Sequence, residues 1–448
     1  MAAVGLSFGC APAAPVAAAG IPVVPDAFVE IGFHDLDGFV DIVGRLGRAG
    51  LVDIDTSRVS RSGLEAAGVA GPVVVSVRDV GGEMITARLA DATRFQGAVA
   101  LASVELGLRL ERRVGQVDAL VGKDGDVVGL VRAGNGVVII VVGPVDVLGE
   151  ASLVEALATG AVVGPRRLPV SIDLLVAPPK AWRALVTSSI TGSMTTGADG
   201  IHIDAKVPLT VDGRPLWRAL SSSSPDAACA VEEGAVLAVR LPPVPGLEEG
   251  LDELGLGEIA GLDAFDGRLV VGVHPPPAGT PVDSEDPSSL GSLAVTGRPA
   301  KGGKAGLQQS LDEAFAGAGT LRTVGARQVR TVVNVGKPWR SVAAVVDDDV
   351  FALGIGAVIP VDRVAVGVKC PAAPGRLLTM DGQGMVGLVE RAEPGLAVMR
   401  RFARAAGLSI ADPLAALAGI EHLEVDAEPV SESEAVSLRI RMRLRERK

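Results

Sequence analysis

The sequence contains no tyrosine, and its three tryptophans and nine phenylalanines make up only 3% of the chain. Sugar-binding platforms and grooves for single-stranded nucleic acid depend on aromatic side chains that stack against the ligand. The shortage of aromatic residues therefore argues against both kinds of site. The net charge of −11 also argues against a nucleic-acid partner, because contacts with phosphate groups require a basic surface.

Long apolar runs, histidines and cysteines are scarce as well. A membrane-spanning helix needs about 20 consecutive apolar residues, and runs such as Val137–Val142 are far shorter, so we expect a soluble body. The chain has only four histidines and three cysteines, whereas a zinc site needs several such ligands at close spacing. We predict that the protein binds no metal and no cofactor.

Several short motifs resemble catalytic or ligand sites but lack the context that those sites require. Residues 5–9 match the G-x-S-x-G pattern of serine hydrolases without the strand and helix that flank a nucleophile. Residues 297–304 have the wrong spacing for a phosphate loop. Asp35 is explained as a helix cap and Asp347–Asp349 as a hairpin turn. We predict a non-enzymatic protein, and an enzyme with dispersed active residues is a third alternative.

Cys10 is preceded by Gly9 and followed by an Ala/Pro-rich tract. A small residue before a cysteine and a flexible tether after it resemble the lipobox of bacterial lipoproteins. The resemblance implies that Cys10 is acylated and anchors the protein to a membrane, in the periplasm or at the cell surface. Nine residues are too few for the charged and apolar regions of a signal peptide, so we expect translation to start further upstream. The alternative is a cytoplasmic protein with an ordinary N-terminus.

The other two cysteines, Cys229 and Cys370, have two interpretations. They are a candidate disulfide pair if the protein lies in an oxidising compartment. Alternatively, they are two small apolar side chains that are buried separately. The sequence leaves both interpretations open.

Three patterns in the first part of the chain recur in the second part, which indicates an internal duplication. The paired segments are residues 28–33 and 236–241, 73–77 and 269–273, and 127–143 and 342–356. The resulting domains are a leader and tether (1–25), a first α+β repeat (26–222) and a second repeat (223–448) with a Pro/Gly/Ser-rich flexible insertion at 275–306.

Hairpins outnumber other connections in both halves, and single helices lie between strand pairs. Asp35 and Asp91 are positioned to cap two of these helices. This pattern favours the α+β class. We predict two related halves, each a curved, mainly antiparallel sheet packed with a few helices.

The C-terminal segment shows the clearest strand pattern. Acidic residues alternate with apolar ones before a turn, and Arg439, Arg441 and Arg443 alternate with apolar residues after it. A period of two on both arms predicts a hairpin with one buried and one exposed face. The three arginines are therefore either a solvated row that pairs with the acids across the hairpin or a face that binds an anion or a partner.

The composition, with only two asparagines and far more arginine than lysine, is typical of a GC-rich bacterial genome. Together with the lipobox-like N-terminus, it favours a non-enzymatic bacterial envelope lipoprotein with a binding or structural role. Its partners would be the membrane, through a lipid at Cys10, and another protein. The alternative is a periplasmic carrier or chaperone for a lipophilic ligand, which rests on an architectural analogy alone.

Overall fold

The computed structural model describes residues 27–49, 51, 59–78, 83–134, 136–143, 148, 151–159, 172–177, 186–214, 227–241, 264–282, 289–314, 318–333, 341–356, 358–368, 375–392, 413–429 and 435–445. The leader and tether, including Cys10, lie outside these ranges, as does Cys370. The chain divides into two compact units. Unit 1 comprises Met1–Val211, Ala411–Gly419 and Leu444–Lys448, and unit 2 comprises Asp212–Ile410 and Ile420–Arg443.

Unit 1 is built on ten strands whose described pairings are all antiparallel. Their order across the sheet is β4-β5-β6-β7-β3-β2-β1-β8-β9-β10. The strands are β1 (Ala27–Phe33), β2 (Val69–Arg78), β3 (Glu83–Leu89), β4 (Arg109–Arg112), β5 (Val117–Val121), β6 (Val127–Gly134), β7 (Val137–Val142), β8 (Ile172–Val176), β9 (Ile190–Gly197) and β10 (Gly200–Pro208).

The helices of unit 1 are α1 (Leu36–Ala49), α2 (Arg61–Ala66), α3 (Ala92–Glu105), α4 (Ala151–Thr159) and a short α9 (Pro413–Gly419). Two predicted caps are confirmed. The Asp35 carboxylate accepts a hydrogen bond from the amide of Gly38 at 2.8 Å, and Asp91 caps α3. Phe33 on β1 meets Phe39 of α1 edge to face. Leu153 and Leu157 of α4 pack into an apolar core on β3 and β5–β7.

Unit 2 also contains ten strands, and their described pairings are antiparallel. Their order is β14-β15-β16-β17-β13-β12-β11-β18-β19-β20. The strands are β11 (Leu237–Leu241), β12 (Leu269–His274), β13 (Ser292–Gly297), β14 (Thr320–Val324), β15 (Arg327–Val333), β16 (Ser341–Val346), β17 (Phe351–Ile355), β18 (Arg376–Met380), β19 (Ile420–Pro429) and β20 (Ala435–Leu444).

The helices of unit 2 cover both faces of its sheet. They are α5 (Ala228–Glu232), α6 (Gly303–Ala314), α7 (Val358–Val366) and α8 (Gly382–Ala392). Helices α5 and α7 share a core with Val270, whereas α6 shares a second core with Leu269. Adjacent strand residues point to opposite faces, so the two cores lie on opposite sides of the sheet.

The molecule is therefore of the α+β class, with mostly antiparallel sheet and some helices, as the sequence predicts. Among the described residues, no helix is both long enough and apolar enough to cross a bilayer.

The flexible insertion predicted at 275–306 is partly wrong. Strand β13 and the start of α6 lie within this range, and Ala294 and Thr296 on β13 are fully buried. The error arose because glycine, proline and serine on either side dominate the composition and hide a six-residue strand. Strand β13 begins at Ser292, so the part of the predicted insertion from that residue onward contains regular structure.

Gly272 on β12 provides a test of how closely α5 packs on the sheet. A Cβ atom at this position would lie 2.6 Å from the carbonyl oxygen of Val231 in α5. We expect Gly272→Ala to lower the free energy of unfolding by about 1–3 kcal/mol, measured by urea denaturation. The control is Gly387→Ala in α8, where nothing lies within 4 Å of the added atom and alanine favours the helix by about 0.5–1 kcal/mol. Equal stabilities of the two variants would contradict the close approach.

Candidate binding surface

Helix α3 of unit 1 leaves much of its apolar surface outside the core. Its described buried residues are Phe95 and Ser103. Leu101 and Val104 are 64% and 75% exposed. Residues three apart lie on the same side of a helix, so these two side chains form an apolar stripe that faces solvent. Leu106, the C-cap residue of α3, is also 59% exposed.

The exposed apolar surface continues onto β4, against which α3 packs. Leu110 on β4 and Val114 in the following turn are both exposed. Five residues close together in the sequence, on α3, on β4 and directly after each of them, thus present apolar side chains to solvent. We call them the α3–β4 surface: Leu101, Val104, Leu106, Leu110 and Val114.

Exposed arginines accompany this surface. Arg109 and Arg112 lie on β4 on either side of Leu110, and their side chains are 66% and 58% exposed. Arg112 pairs at 2.7 Å with Asp118, the residue opposite it on β5. An apolar centre with a polar and arginine-rich border is the usual composition of a protein-binding surface.

Helix α6 of unit 2 has a polar outer side, in contrast to α3. Both α3 and α6 connect the third strand of a unit to the strand at its edge. In α6, however, Leu307 and Leu311 are buried, and Gln309 on the outer side donates a hydrogen bond to Glu313 at 2.8 Å. A helix at this position therefore does not need an apolar outer side for folding.

The arginine row on β20 forms an ion-pair network with acids on β19. Arg441 contacts Asp426, and its guanidinium lies 3.5 Å from Glu424. Arg439 and Arg443 make longer contacts, at 3.7 Å to Glu428 and 3.9 Å to Glu421 respectively. These contacts agree with the interpretation of the three arginines as a solvated row that pairs with acids across the hairpin. They lend no support to the interpretation as an anion site. The buried face is weaker than predicted, because Ile440 and Met442 on β20 are only half-buried.

Asp426 is at the centre of this network. Arg376 on β18 donates a hydrogen bond to it at 2.7 Å from one side, and Arg441 donates from the other. Burial raises the pKa of Asp426, but the hydrogen bonds and charges of the two arginines lower it, and the net pKa lies below the usual value. The carboxylate therefore remains ionised in the folded protein at neutral pH.

A second ion pair lies beneath α5 in unit 2. Arg240 on β11 is buried and holds Glu232 of α5 through two hydrogen bonds, at 2.6 and 2.9 Å. Arg268 is fully buried nearby and donates to the carbonyl of Arg376 at 3.0 Å. Burial and then the charge of Arg240 lower the pKa of Arg268 to about 10, against the opposing effect of Glu232. Arg268 is thus still protonated at neutral pH.

Two sequence motifs that resemble ligand sites meet each other in the structure. Lys304, at the end of the phosphate-loop-like segment, lies 2.9 Å from Asp347 and 3.2 Å from Asp348 in the acidic turn. The pKa of Asp347 is lowered, mainly by its hydrogen bond from Lys304. The turn itself is confirmed, because the amide of Asp347 donates to the carbonyl of Val350. These charges therefore fasten α6 to the β16–β17 hairpin.

The remaining candidates from the sequence are placed as follows. Cys10 lies outside the described residues. Asp35 is a helix cap, and Asp37 pairs with Arg61 at 2.5 Å. Within the described part of the chain, no three His, Cys, Asp or Glu side chains come together in a group that could hold a metal ion. Cys229 in α5 is disulfide-bonded, which the sequence alone left open.

Comparisons with protein-family models, with curated proteins and with solved structures found no match to this chain.

The ion pairs around Asp426 give a prediction for the pH dependence of stability. A carboxylate with a lowered pKa stabilises the fold above its unfolded pKa of about 3.9, and this stabilisation disappears as the pH falls through the folded pKa. We expect Asp426→Asn to lower the free energy of unfolding by about 1–3 kcal/mol at pH 7, and this difference to shrink below about pH 4.

Glu428→Gln is the control for this variant, because the Glu428 side chain is 61% exposed and makes only a long contact. It is expected to cost less than about 1 kcal/mol. Denaturant titrations between pH 3 and pH 7 measure both effects. A cost for Asp426→Asn that does not change over this range would show that the two arginines do not depend on the charge of Asp426.

Proposed function

We propose that the protein is a non-enzymatic envelope lipoprotein, anchored through Cys10, in which two copies of one α+β module serve a binding or structural role. The α3–β4 surface is the observation that carries the binding role. Leu101, Val104 and Leu106 are each more than half exposed, and exposing apolar side chains to water is unfavourable. A partner that covers this surface would remove that cost.

The proposed location outside the cytoplasm rests on two features. The first is Gly9-Cys10 with its Ala/Pro-rich tether, which resembles a lipobox. The second is the disulfide at Cys229, because disulfides persist in oxidising compartments and are rare in the cytosol. Both features favour the periplasm or the cell surface over the cytoplasmic alternative.

The proposal of two related copies is supported by the connectivity of the strands. If β1 is matched with β11, β2 with β12, and so on to β10 with β20, the strand order of unit 1 becomes that of unit 2 without a rearrangement. The helix after the third strand and the helix after the seventh strand also occur in both units.

The sequence patterns that suggest a duplication fall on matched elements. Residues 28–33 and 236–241 overlap β1 and β11, and residues 73–77 and 269–273 lie on β2 and β12. The third pattern falls on the hairpins β6–β7 and β16–β17. In this alignment the inserted residues of the second copy lie between β12 and β13, within 275–291.

A non-enzymatic role is supported by the positions of the three carboxylates whose pKa is lowered. Asp426 and Asp347 lie in ion pairs that join neighbouring elements. Glu233, whose pKa is lowered by its hydrogen bond from Arg363, joins α5 to α7. The ion pairs that lower these pKa values hold elements of the fold together. Catalytic groups, by contrast, have shifted pKa values in a cleft that can admit a substrate.

The lipid anchor is tested by metabolic labelling of the chromosomally encoded, epitope-tagged protein with a palmitate analogue. We expect label on the wild-type protein and none on Cys10→Ala, because a lipobox cysteine is the acylated residue. Cys370→Ala is the matched control and should keep its label. Unlabelled wild-type protein would rule out the anchor.

The binding role is tested by placing a photo-crosslinking amino acid at Val104 in intact cells. We expect a discrete crosslinked species from position 104, because its side chain is 75% exposed and apolar. The control is the same amino acid at Gln309, on the polar outer side of α6, which should give none. If neither position crosslinks, or both crosslink equally, the α3–β4 surface does not have a specific partner.

A further inference from the structure

Helix α5 has only five residues but is one of the most tightly held elements of unit 2. Ala228, Ala230 and Val231 are all buried against the sheet. The backbone of Val231 approaches Gly272 so closely that no Cβ fits between them. An isolated helix of this length is unstable in water, so contacts with the rest of the unit must hold α5 in place.

Two ion pairs hold the C-terminal end of α5 to different elements. Glu232 pairs with Arg240 on β11, and the following residue, Glu233, pairs with Arg363 on α7. The Arg240 side chain is only 4% exposed, so this pair is shielded from solvent. Near the other end of the helix, Cys229 is disulfide-bonded.

The partner of Cys229 is one of two residues, since the chain has only three cysteines. Helix α7 shares a core with α5, and Val368, two residues beyond the end of α7, packs against that same core. The amide of Val368 donates to the carbonyl of Arg363, which places this residue in the turn after the helix. Cys370 follows two residues later.

Two residues of chain span at most ~7 Å, and the Cα atoms of a disulfide lie about 4.4–6.8 Å apart. The two residues of chain from Val368 to Cys370 are therefore too few to carry Cys370 far from the core that contains α5. Val368 fixes the chain beside the core of α5, whereas the first described residue after Cys10 is Ala27, at the start of β1 in unit 1. We infer that Cys229 pairs with Cys370, and that this disulfide fastens α5 to the end of α7.

This pairing also accounts for the odd number of cysteines. An oxidising compartment leaves an unpaired thiol open to unwanted disulfides. If Cys229 and Cys370 form the disulfide, the remaining cysteine is Cys10, which is the residue that the proposed function assigns to the lipid. A thioether at Cys10 leaves no free thiol in the mature protein. The lipid at Cys10 rests on the proposed function, whereas the pairing of Cys229 with Cys370 does not.

Non-reducing peptide mapping of the full-length protein, exported to the periplasm, tests the pairing. Trypsin releases the three cysteines in three different peptides, which are the N-terminal peptide that ends at Arg45, residues 219–240 and residues 370–376. We expect the peptides 219–240 and 370–376 to be linked and to separate on reduction. A link between 219–240 and the N-terminal peptide, or free thiols on Cys229 and Cys370, would overturn the inference.

Thermal unfolding gives the second measurement. The crosslink encloses about 140 residues of unit 2, so its loss should lower the melting temperature by roughly 5–15 °C. Cys229→Ser, Cys370→Ser and the double variant should be lowered equally, whereas Cys10→Ser should not change. Unequal effects of the two single variants would show that Cys229 and Cys370 do not act as a pair.

The mass of the N-terminal tryptic peptide that ends at Arg45 separates this inference from the proposed function. An unmodified Cys10 beside an intact link between 219–240 and 370–376 would refute the lipid anchor and leave the disulfide standing. An acylated Cys10 without that link would refute the disulfide and leave the anchor standing.

Discussion

Each unit depends on the pairing of its third strand with its seventh. In unit 1, β3 lies beside β7 with Thr86 opposite Ile139, and in unit 2, β13 lies beside β17 with Thr296 opposite Ala352. Between these partners the chain forms a helix and three further strands, so the pairing closes a long segment. It joins the hairpins at one end of the sheet to the strands at the other. In unit 2 a buried hydrogen bond from the Thr296 hydroxyl to the carbonyl of Phe351 supports it.

The helix within this closed segment has the same position in both units but a different surface. In unit 2, α6 buries Leu307 and Leu311 and keeps polar side chains outside. In unit 1, α3 exposes Leu101 and Val104. If the units are copies of one module, the second acts as an internal reference for the first, because equal folding requirements act on both helices. The apolar side of α3 then reflects a requirement other than folding.

Those parts of the structure that depend on neighbours in the sequence could be predicted. The caps Asp35 and Asp91 and the turn at Asp347–Asp349 each act within four residues of chain, and all three are confirmed. Features that depend on distant contacts could not. The exposure of Leu101 depends on which side of α3 packs against the strands, and the disulfide of Cys229 depends on a residue far away in the sequence. The strand β13 was missed for another reason, since flanking glycines and prolines concealed it.

The edge of the sheet in unit 1 affects how readily copies of the protein associate at high local concentration. Among the described strands, β5 is the only partner of β4, so β4 is the edge strand of the described sheet in unit 1. Edges of this kind promote strand-to-strand polymerisation. Strand β4 has only four residues, and Arg109, Glu111 and Arg112 place charges along it. If another copy paired with this edge, the charges would have to be desolvated, and a four-residue strand could form only a few backbone hydrogen bonds to offset that cost. A short and charged edge strand of this kind disfavours strand-to-strand association.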